Sequence, residues 1–177
     1  MQVAEAPASQ RIIRGGGADG SRVLEKARSR TLWQALSDVA QTYPDKVALV
    51  GADVAGQVRR LTYAELSQRI EHFSIGLAIT GVRRGDRVVL WMTNCLEWVI
   101  ASQAAMRLGA ALVPVNTFLK PAEIRYVIAQ SGARHLIMLD TFRKLDFPAM
   151  LAEISPAFAN ADQPGNLRAR FKSFSMS

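Results

Sequence analysis

The run Arg87-Val88-Val89-Leu90-Trp91-Met92 is apolar except for its first residue, which alone is charged. A strand with one face in water alternates apolar and polar side chains, whereas a strand covered on both faces is apolar throughout. The run therefore predicts a central strand that is covered on both faces. Such strands are typical of parallel sheets, because the helices that connect them cross over both faces.

Helix signals stand on both sides of this strand. Upstream, Thr62 and Glu65 have capping-box spacing, and the apolar residues that follow recur at helical spacing until Gly81. Downstream, Asn94 and Glu97 repeat the same polar spacing and predict the start of a second helix. That helix carries no further charge over most of its length, so we expect most of its circumference to be buried.

The alternation of strands and helices continues towards both ends of the chain. The other predicted strands are residues 47–50, 59–61, 111–113 and 135–139, and the other predicted helices start at Thr31, at Pro121 and at Asp140 or Thr141. Short connections between alternating elements favour right-handed crossovers within one sheet. The sequence thus predicts an α/β fold, a mostly parallel sheet with helices on both faces.

Three parts of the chain differ in character. Residues 1–30, which include Gly15-Gly16-Gly17, are predicted to be a flexible leader, residues 31–160 form the folded part, and residues 161–177 form an irregular tail. The last seven residues have no turn, cap or amphipathic pattern. Because the ligand loops of such a sheet come from several units, we expect the fold to be incomplete within these 177 residues.

The basic surplus is carried mainly by the two ends of the chain. The formal net charge is +7, of which residues 1–30 contribute +3 and residues 161–177 contribute +2, leaving +2 for residues 31–160. A nucleic-acid groove normally needs a basic stripe on the folded surface, with aromatic residues for single strands. No such stripe is visible in the folded part, so nucleic-acid binding is not expected.

Cysteine usage and hydropathy both indicate a protein of a reducing, intracellular compartment. The single cysteine, Cys95, excludes an intramolecular disulfide and suits a reducing compartment. The N-terminus has no apolar segment behind its charges, and no apolar run approaches the ~20 residues of a membrane helix. We expect a soluble, cytoplasmic protein with no membrane span.

Four stretches resemble the N-terminal portion of adenylate-forming ligases, the acyl-CoA synthetase superfamily. They are LTYAEL at 61–66, GVRRGDRVV at 81–89, LGAALVPVNT at 108–117 and IRYVIAQSGA at 124–133. The resemblance covers roughly residues 31–170, and residues 140–154 look most like synthetases of fatty or other carboxylic acids. It identifies residues 31–160 as a partial AMP-dependent synthetase/ligase N-terminal domain.

The resemblance implies a two-step reaction in the full-length family. A carboxylate attacks the α-phosphate of ATP with Mg²⁺ to give an acyl-adenylate, and the CoA thiol then displaces AMP. The family's Ser/Thr/Gly-rich phosphate loop, aromatic-Gly-Glu segment, ribose aspartate and C-terminal lysine have no counterpart in this sequence, and the run Gly15 to Gly20 lacks the phosphate-loop pattern. We therefore assign no catalytic, cofactor-binding or metal-binding residue, while ATP, Mg²⁺ and CoA are implied for the full-length family.

Two polar residues stand where ligands bind in such sheets. Asn116 and Thr117 follow a predicted strand end and are predicted to contact the edge of a substrate pocket, although a simple polar turn is the competing interpretation. Trp91, Trp98 and Phe118 could line an acyl pocket. We favour core packing, because Trp91 lies in a strand and Trp98 on a mostly uncharged helix.

Cys95 offers a second interpretation of the site. Near a helix N-terminus a thiolate is stabilised, and with His72 or His135 it would form a nucleophile–base pair. We favour a buried small hydrophobic residue, because free cysteines are usually buried. One cysteine and two scattered histidines are too few for a metal site.

Two functional hypotheses remain, and a third, nucleic-acid binding through the basic tails, ranks below both. The first is an N-terminal fragment of an acyl-CoA synthetase-like enzyme that is inactive alone, with a carboxylic acid, ATP and CoA as the substrates of the complete enzyme. The second is a stand-alone interaction module that pairs with a separate catalytic subunit, or with itself through an exposed sheet edge.

Overall fold

A computed structural model describes residues 27–154 of the chain, together with Arg22, Leu24 and Glu25. The helices are α1 (Leu32–Thr42), α2 (Tyr63–Ile79), α3 (Leu96–Arg107), α4 (Pro121–Ser131) and α5 (Phe147–Ile154). The strands are β1 (Val47–Ala52), β2 (Val58–Thr62), β3 (Arg87–Trp91), β4 (Ala111–Pro114), β5 (His135–Met138), β6 (Thr141–Phe142) and β7 (Leu145–Asp146).

The predicted leader and tail fall largely beyond these residues. The tail, residues 161–177, lies outside the described residues, as does most of the leader. At the end of the leader the backbone is helical at Arg22, Leu24, Glu25, Ala27 and Arg28.

Three strands form the parallel sheet, in the order β4-β3-β5. β1 and β2 form a separate antiparallel pair, and β6 and β7 form a third, two-residue pair. The predicted α/β class with a parallel sheet is confirmed. The strands predicted at 47–50 and 59–61 are present as β1 and β2, but they pair with each other and do not join the parallel sheet.

β3 is covered on both faces, as its sequence predicts. Val88 and Leu90 are fully buried in a cluster with apolar residues of α2 and α3. Val89 and Trp91, which point to the opposite face, are fully buried with apolar residues of α4 and α5. The alternation of these four side chains places one helix pair on each face of the sheet.

The predicted capping box at the start of α2 is present. The Glu65 N–H donates to Thr62 Oγ1 over 3.2 Å, and the Thr62 N–H donates to Glu65 Oε2 over 2.8 Å. These hydrogen bonds lower the pKa of Glu65, the Thr62 backbone N–H being the main cause.

The predicted ends of α4 are also present. Pro121 is its first residue, and Gly132 ends it in the left-handed conformation, with φ 59°.

The prediction that Asn94 caps α3 is wrong. The N-cap is Cys95, whose extended backbone (φ −145°) precedes Leu96, and no side chain caps this helix end. A capping box joins the N-cap to the residue three positions later, and Glu97 is only two positions after Cys95. Asn94 and Glu97 have the right spacing, but Asn94 lies one residue before the true N-cap. Glu97 still lies in the first turn, where its charge is favourable to the helix dipole.

The predicted start of the last helix, at Asp140 or Thr141, is also wrong. Residues 141–146 form the β6–β7 hairpin, which turns at Arg143 with a φ of 55°. α5 begins only at Phe147, where Asp146 Oδ1 accepts a hydrogen bond from the Ala149 N–H over 2.9 Å. An aspartate cap with proline in the first turn is a stronger start signal than the earlier polar residues.

Long-range contacts of Arg107, here called the Arg107 clamp, connect the helices that cover the Val88 and Leu90 face of the sheet. The Arg107 guanidinium donates to Ser74 Oγ over 2.6 Å, pairs with Glu71 Oε1 at 2.7 Å and lies 4.7 Å from the ring centre of Trp33. Ser74 is fully buried, and its hydroxyl donates to Glu71 O over 2.8 Å while it accepts the hydrogen bond from Arg107. Arg107 at the end of α3 thus fixes the positions of α1 and α2.

Candidate functional site

The carboxyl ends of the three parallel strands form one edge of the sheet, here called the ligand edge. It consists of residues 92–95 after β3, residues 115–117 after β4 and residues 139–140 after β5. Parallel α/β sheets bind ligands at this edge because the loops that follow the strands converge there. Any site that this chain contributes is therefore expected at the ligand edge.

An open groove of about 350 Å³ lies beside the ligand edge. It runs between β1 and the start of α3 and is lined by residues 49–52, 94–96, 98 and 99. Most of these side chains are apolar, and Asn94 supplies a polar group. The groove suits contact with an apolar group, but its lining contains no charged side chain for a phosphate or a carboxylate.

Asn116 and Thr117 lie at the ligand edge but do not line the groove. Asn116 is exposed, and its Oδ1 accepts a hydrogen bond from the Phe118 N–H over 3.0 Å, which closes a local turn. Thr117 is half-buried. Among the described residues, the polar-turn interpretation accounts for Asn116. A contact of Asn116 or Thr117 with substrate stays a prediction.

The three aromatic candidates have three different environments. Trp91 is fully buried and meets Phe147 edge-on, with ring centres 4.9 Å apart and planes at 77°. Trp98 is half-buried, packs against the Val88–Leu90 core and also lines the groove. Phe118 is 89% exposed. The expected core packing is confirmed for Trp91 and, in part, for Trp98.

Cys95 is separated from the histidine that could have activated it. His135 opens β5 at the amino end of the sheet, where its Nε2 lies 3.2 Å from Asp86 Oδ2, whereas Cys95 follows the carboxyl end of β3. His72 is exposed on α2. Burial raises the pKa of the Cys95 thiol to about 11, and the nearby Glu97 charge adds to the rise. The thiol is therefore neutral at physiological pH, which favours the hydrophobic interpretation over the nucleophilic one.

We expect iodoacetamide to alkylate Cys95 at least about tenfold more slowly in the folded chain than in the urea-unfolded chain at pH 8. A rise from 9.0 to about 11 lowers the thiolate fraction about a hundredfold, and the greater nucleophilicity of the more basic thiolate offsets about tenfold of this. Mass spectrometry of timed samples gives both rates, and Cys95→Ser provides the unlabelled control. Equal rates in the folded and unfolded chain would contradict this assignment.

Neither a metal site nor a membrane-spanning helix is formed by the described part of the chain. No group of three or more His, Cys, Asp or Glu side chains converges there in a geometry that could hold a metal ion. Among these same residues, none of the helices combines the length and the apolar character needed to cross a bilayer. What the described residues supply is a scaffold, an apolar groove and polar turns at the ligand edge.

Solved structures define the class of protein that has this scaffold. The chain is 29% identical to the Klebsiella oxytoca NpsA N-terminal subdomain in complex with 3-hydroxybenzoyl-AMSN, with a TM-score of 0.57 over 64% of this chain and 28% of that one. The anthranilate CoA ligase AuaEII in complex with anthranoyl-AMP is also 29% identical, with a TM-score of 0.55 over 62% of this chain and 20% of that one. The fold is that of part of the N-terminal subdomain of adenylate-forming ligases.

The sequence comparison identifies the family. A family model described as AMP-binding enzyme matches residues 36–168, and the chain belongs to this family. The human mitochondrial medium-chain acyl-CoA ligase ACSF2 is 33% identical over 142 residues, which are 80% of this chain and 22% of that protein. The zebrafish (Danio rerio) ACSF2 is 30% identical over 141 residues, 80% of this chain and 23% of that protein. The chain thus spans about a quarter of the length of these curated relatives.

Proposed function

We propose that this chain provides the N-terminal structural part of an acyl-CoA synthetase and has no ligase activity by itself. The complete enzyme would activate a fatty or other carboxylic acid with ATP and Mg²⁺ and transfer the acyl group to CoA. The observation that carries the proposal is the joint match of sequence and fold to adenylate-forming ligases over less than a third of their length. In this role the β3 sheet supports loops at the ligand edge.

The expected inactivity follows from the chemistry that the reaction requires. The attack on the α-phosphate develops negative charge that needs cations, amide donors and a bound metal. The groove beside the ligand edge offers an apolar lining and one asparagine. The family's phosphate loop, metal carboxylate and C-terminal lysine have no counterpart in the 177 residues.

The purified 177-residue chain is expected to catalyse no measurable ATP–pyrophosphate exchange with medium-chain fatty acids, and to form no acyl-CoA. Losing a single charge-stabilising donor typically lowers a rate by ~10²–10³, and here all of them are missing. Human ACSF2 assayed in parallel provides the positive control. Acid-dependent exchange by the purified chain would refute the proposed inactivity.

A second candidate function, the interaction module, rests on the edges of the sheet. Within the described residues β4 and β5 each have one neighbouring strand, so each leaves an outer edge unpaired. Such edges can pair with another chain, either a separate catalytic subunit or a second copy. Light scattering tests this candidate, because a defined dimer or a stoichiometric complex favours the module and a heterogeneous aggregate favours the fragment.

A further inference from the structure

The amino ends of the parallel strands form a rim on the side of the sheet opposite to the ligand edge. Three segments build it, residues 79–87, 107–111 and 131–135. Together they contain five arginines and a single carboxylate, Asp86. The folded part of the chain is nearly neutral as a whole, so this rim concentrates positive charge in one place.

Backbone hydrogen bonds hold the three segments together as one surface. The Gly85 N–H donates to Gly109 O over 2.9 Å, and the Arg134 N–H donates to Arg87 O over 3.3 Å. The Arg84 side chain lies directly over Gly109, with its Cγ only 2.9 Å from where a Cβ at that position would stand. Arginines from different loops are therefore neighbours on a fixed scaffold.

The one carboxylate of the rim already has partners. Asp86 Oδ2 accepts the Arg83 N–H over 2.8 Å and lies 3.2 Å from His135 Nε2. These contacts lower the pKa of Asp86, the Arg83 N–H being the main cause and the Arg134 charge a minor one. The Arg83 guanidinium donates to Ala78 O in the last turn of α2 over 2.7 Å and to Val82 O beyond the helix over 3.0 Å.

Three guanidinium groups of the rim remain available. Arg84, Arg87 and Arg134 are exposed, and none of them forms an ion pair with a carboxylate within the described residues. Ile79, the first residue of the rim and the last of α2, is 81% exposed, and Ile75 one turn earlier is 51% exposed. The rim thus combines fixed positive charge with a protruding aliphatic side chain.

We propose that this surface, Ile79 with Arg84, Arg87 and Arg134, docks on an anionic phospholipid bilayer. Guanidinium groups bind lipid phosphates and carboxylates, and an exposed isoleucine on the same rim can enter the headgroup region. The three segments contain no Phe, Tyr or Trp on which unpaired bases would stack, and the His135 side chain is largely buried against Asp86. Docking at the rim would leave the ligand edge facing away from the bilayer. The proposal goes beyond the proposed function and does not depend on it.

The test is co-sedimentation of the full chain with phosphatidylcholine vesicles that contain or lack phosphatidylserine. The rim variant carries Arg84→Ala, Arg87→Ala and Arg134→Ala. The matched control carries Arg168→Ala, Arg170→Ala and Lys172→Ala, which removes the same number of charges from the tail. Ile79→Ser tests the apolar contact at an exposed position, and circular dichroism monitors the folding of each variant.

We expect the chain to bind only the vesicles with phosphatidylserine, and the rim variant to bind them about tenfold or more weakly. The tail variant should lose less than the rim variant, and Ile79→Ser should weaken binding even if the rim variant does not fold. Equal binding to both vesicle types, a loss confined to the tail variant, or unchanged binding by Ile79→Ser would overturn the proposal. Tighter binding to duplex DNA than to the vesicles would overturn it in favour of a nucleic-acid surface.

Discussion

Replacing Phe147 with alanine is expected to lower the free energy of unfolding by about 3–5 kcal/mol, the usual cost of truncating a buried phenylalanine. Phe147 is fully buried at the start of α5 and meets the Trp91 ring edge-on at 4.9 Å. Its removal leaves a cavity against the central strand, because neither β3 nor α5 can close it without moving backbone. A typical domain has about 5–15 kcal/mol of stability, so the loss is a large fraction of the total.

Urea denaturation followed by tryptophan fluorescence and by far-UV circular dichroism measures this effect. The transition midpoint should fall while the slope stays constant, which indicates lost stability rather than an altered unfolded state. Phe118→Ala is the matched control, because Phe118 is 89% exposed and its truncation should change stability by no more than about 0.5 kcal/mol. A normal midpoint for Phe147→Ala, or equal losses in both variants, would contradict the described core.

The sequence predicts the parallel sheet because the deciding information is local. The run from Val88 to Trp91 is apolar without alternation, and the structure buries its side chains alternately against α2 and α3 and against α4 and α5. The Thr62–Glu65 box is equally local, since both partners lie within one helical turn. Features that depend on four to six neighbouring residues can be predicted from the sequence alone.

The errors have a physical cause that is also local. Asn94 and Cys95 both stand before an apolar helix, and spacing alone favoured the asparagine, but the backbone enters the helix one residue later. At residues 140–147 two start signals compete, and the Asp146 cap prevails because the preceding residues pair as a hairpin. Element boundaries are decided by such small differences between neighbouring alternatives.

Contacts between distant residues were beyond prediction from the sequence. The groove joins residues 49–52 to residues 94–96, 98 and 99, and the Arg107 clamp reaches back to Glu71 and Ser74. Neither has a periodic signature, because both depend on how whole elements pack. The clustering of GVRRGDR at 81–87 with Arg134 could have been inferred, since parallel strands bring their amino ends together.

A chimera in which this chain's residues 31–160 replace the matching segment of human ACSF2 is expected to retain acyl-CoA synthesis. The scaffold supplies the sheet and its loops, while the phosphate-binding and metal-binding groups come from the remainder of the relative. Because a displacement of about 1 Å at the chemistry can cost about a hundredfold, we expect activity within that factor of the parent. The same chimera with Phe147→Ala should lose activity, whereas with Phe118→Ala it should not.

The decisive measurement is ATP- and CoA-dependent formation of medium-chain acyl-CoA by this chimera, with the isolated chain assayed in parallel. We expect product from the chimera and none from the isolated chain. A chimera that folds cooperatively but forms no acyl-CoA, or an isolated chain that forms it, would contradict the conclusion that these residues are the structural N-terminal part of an adenylate-forming ligase.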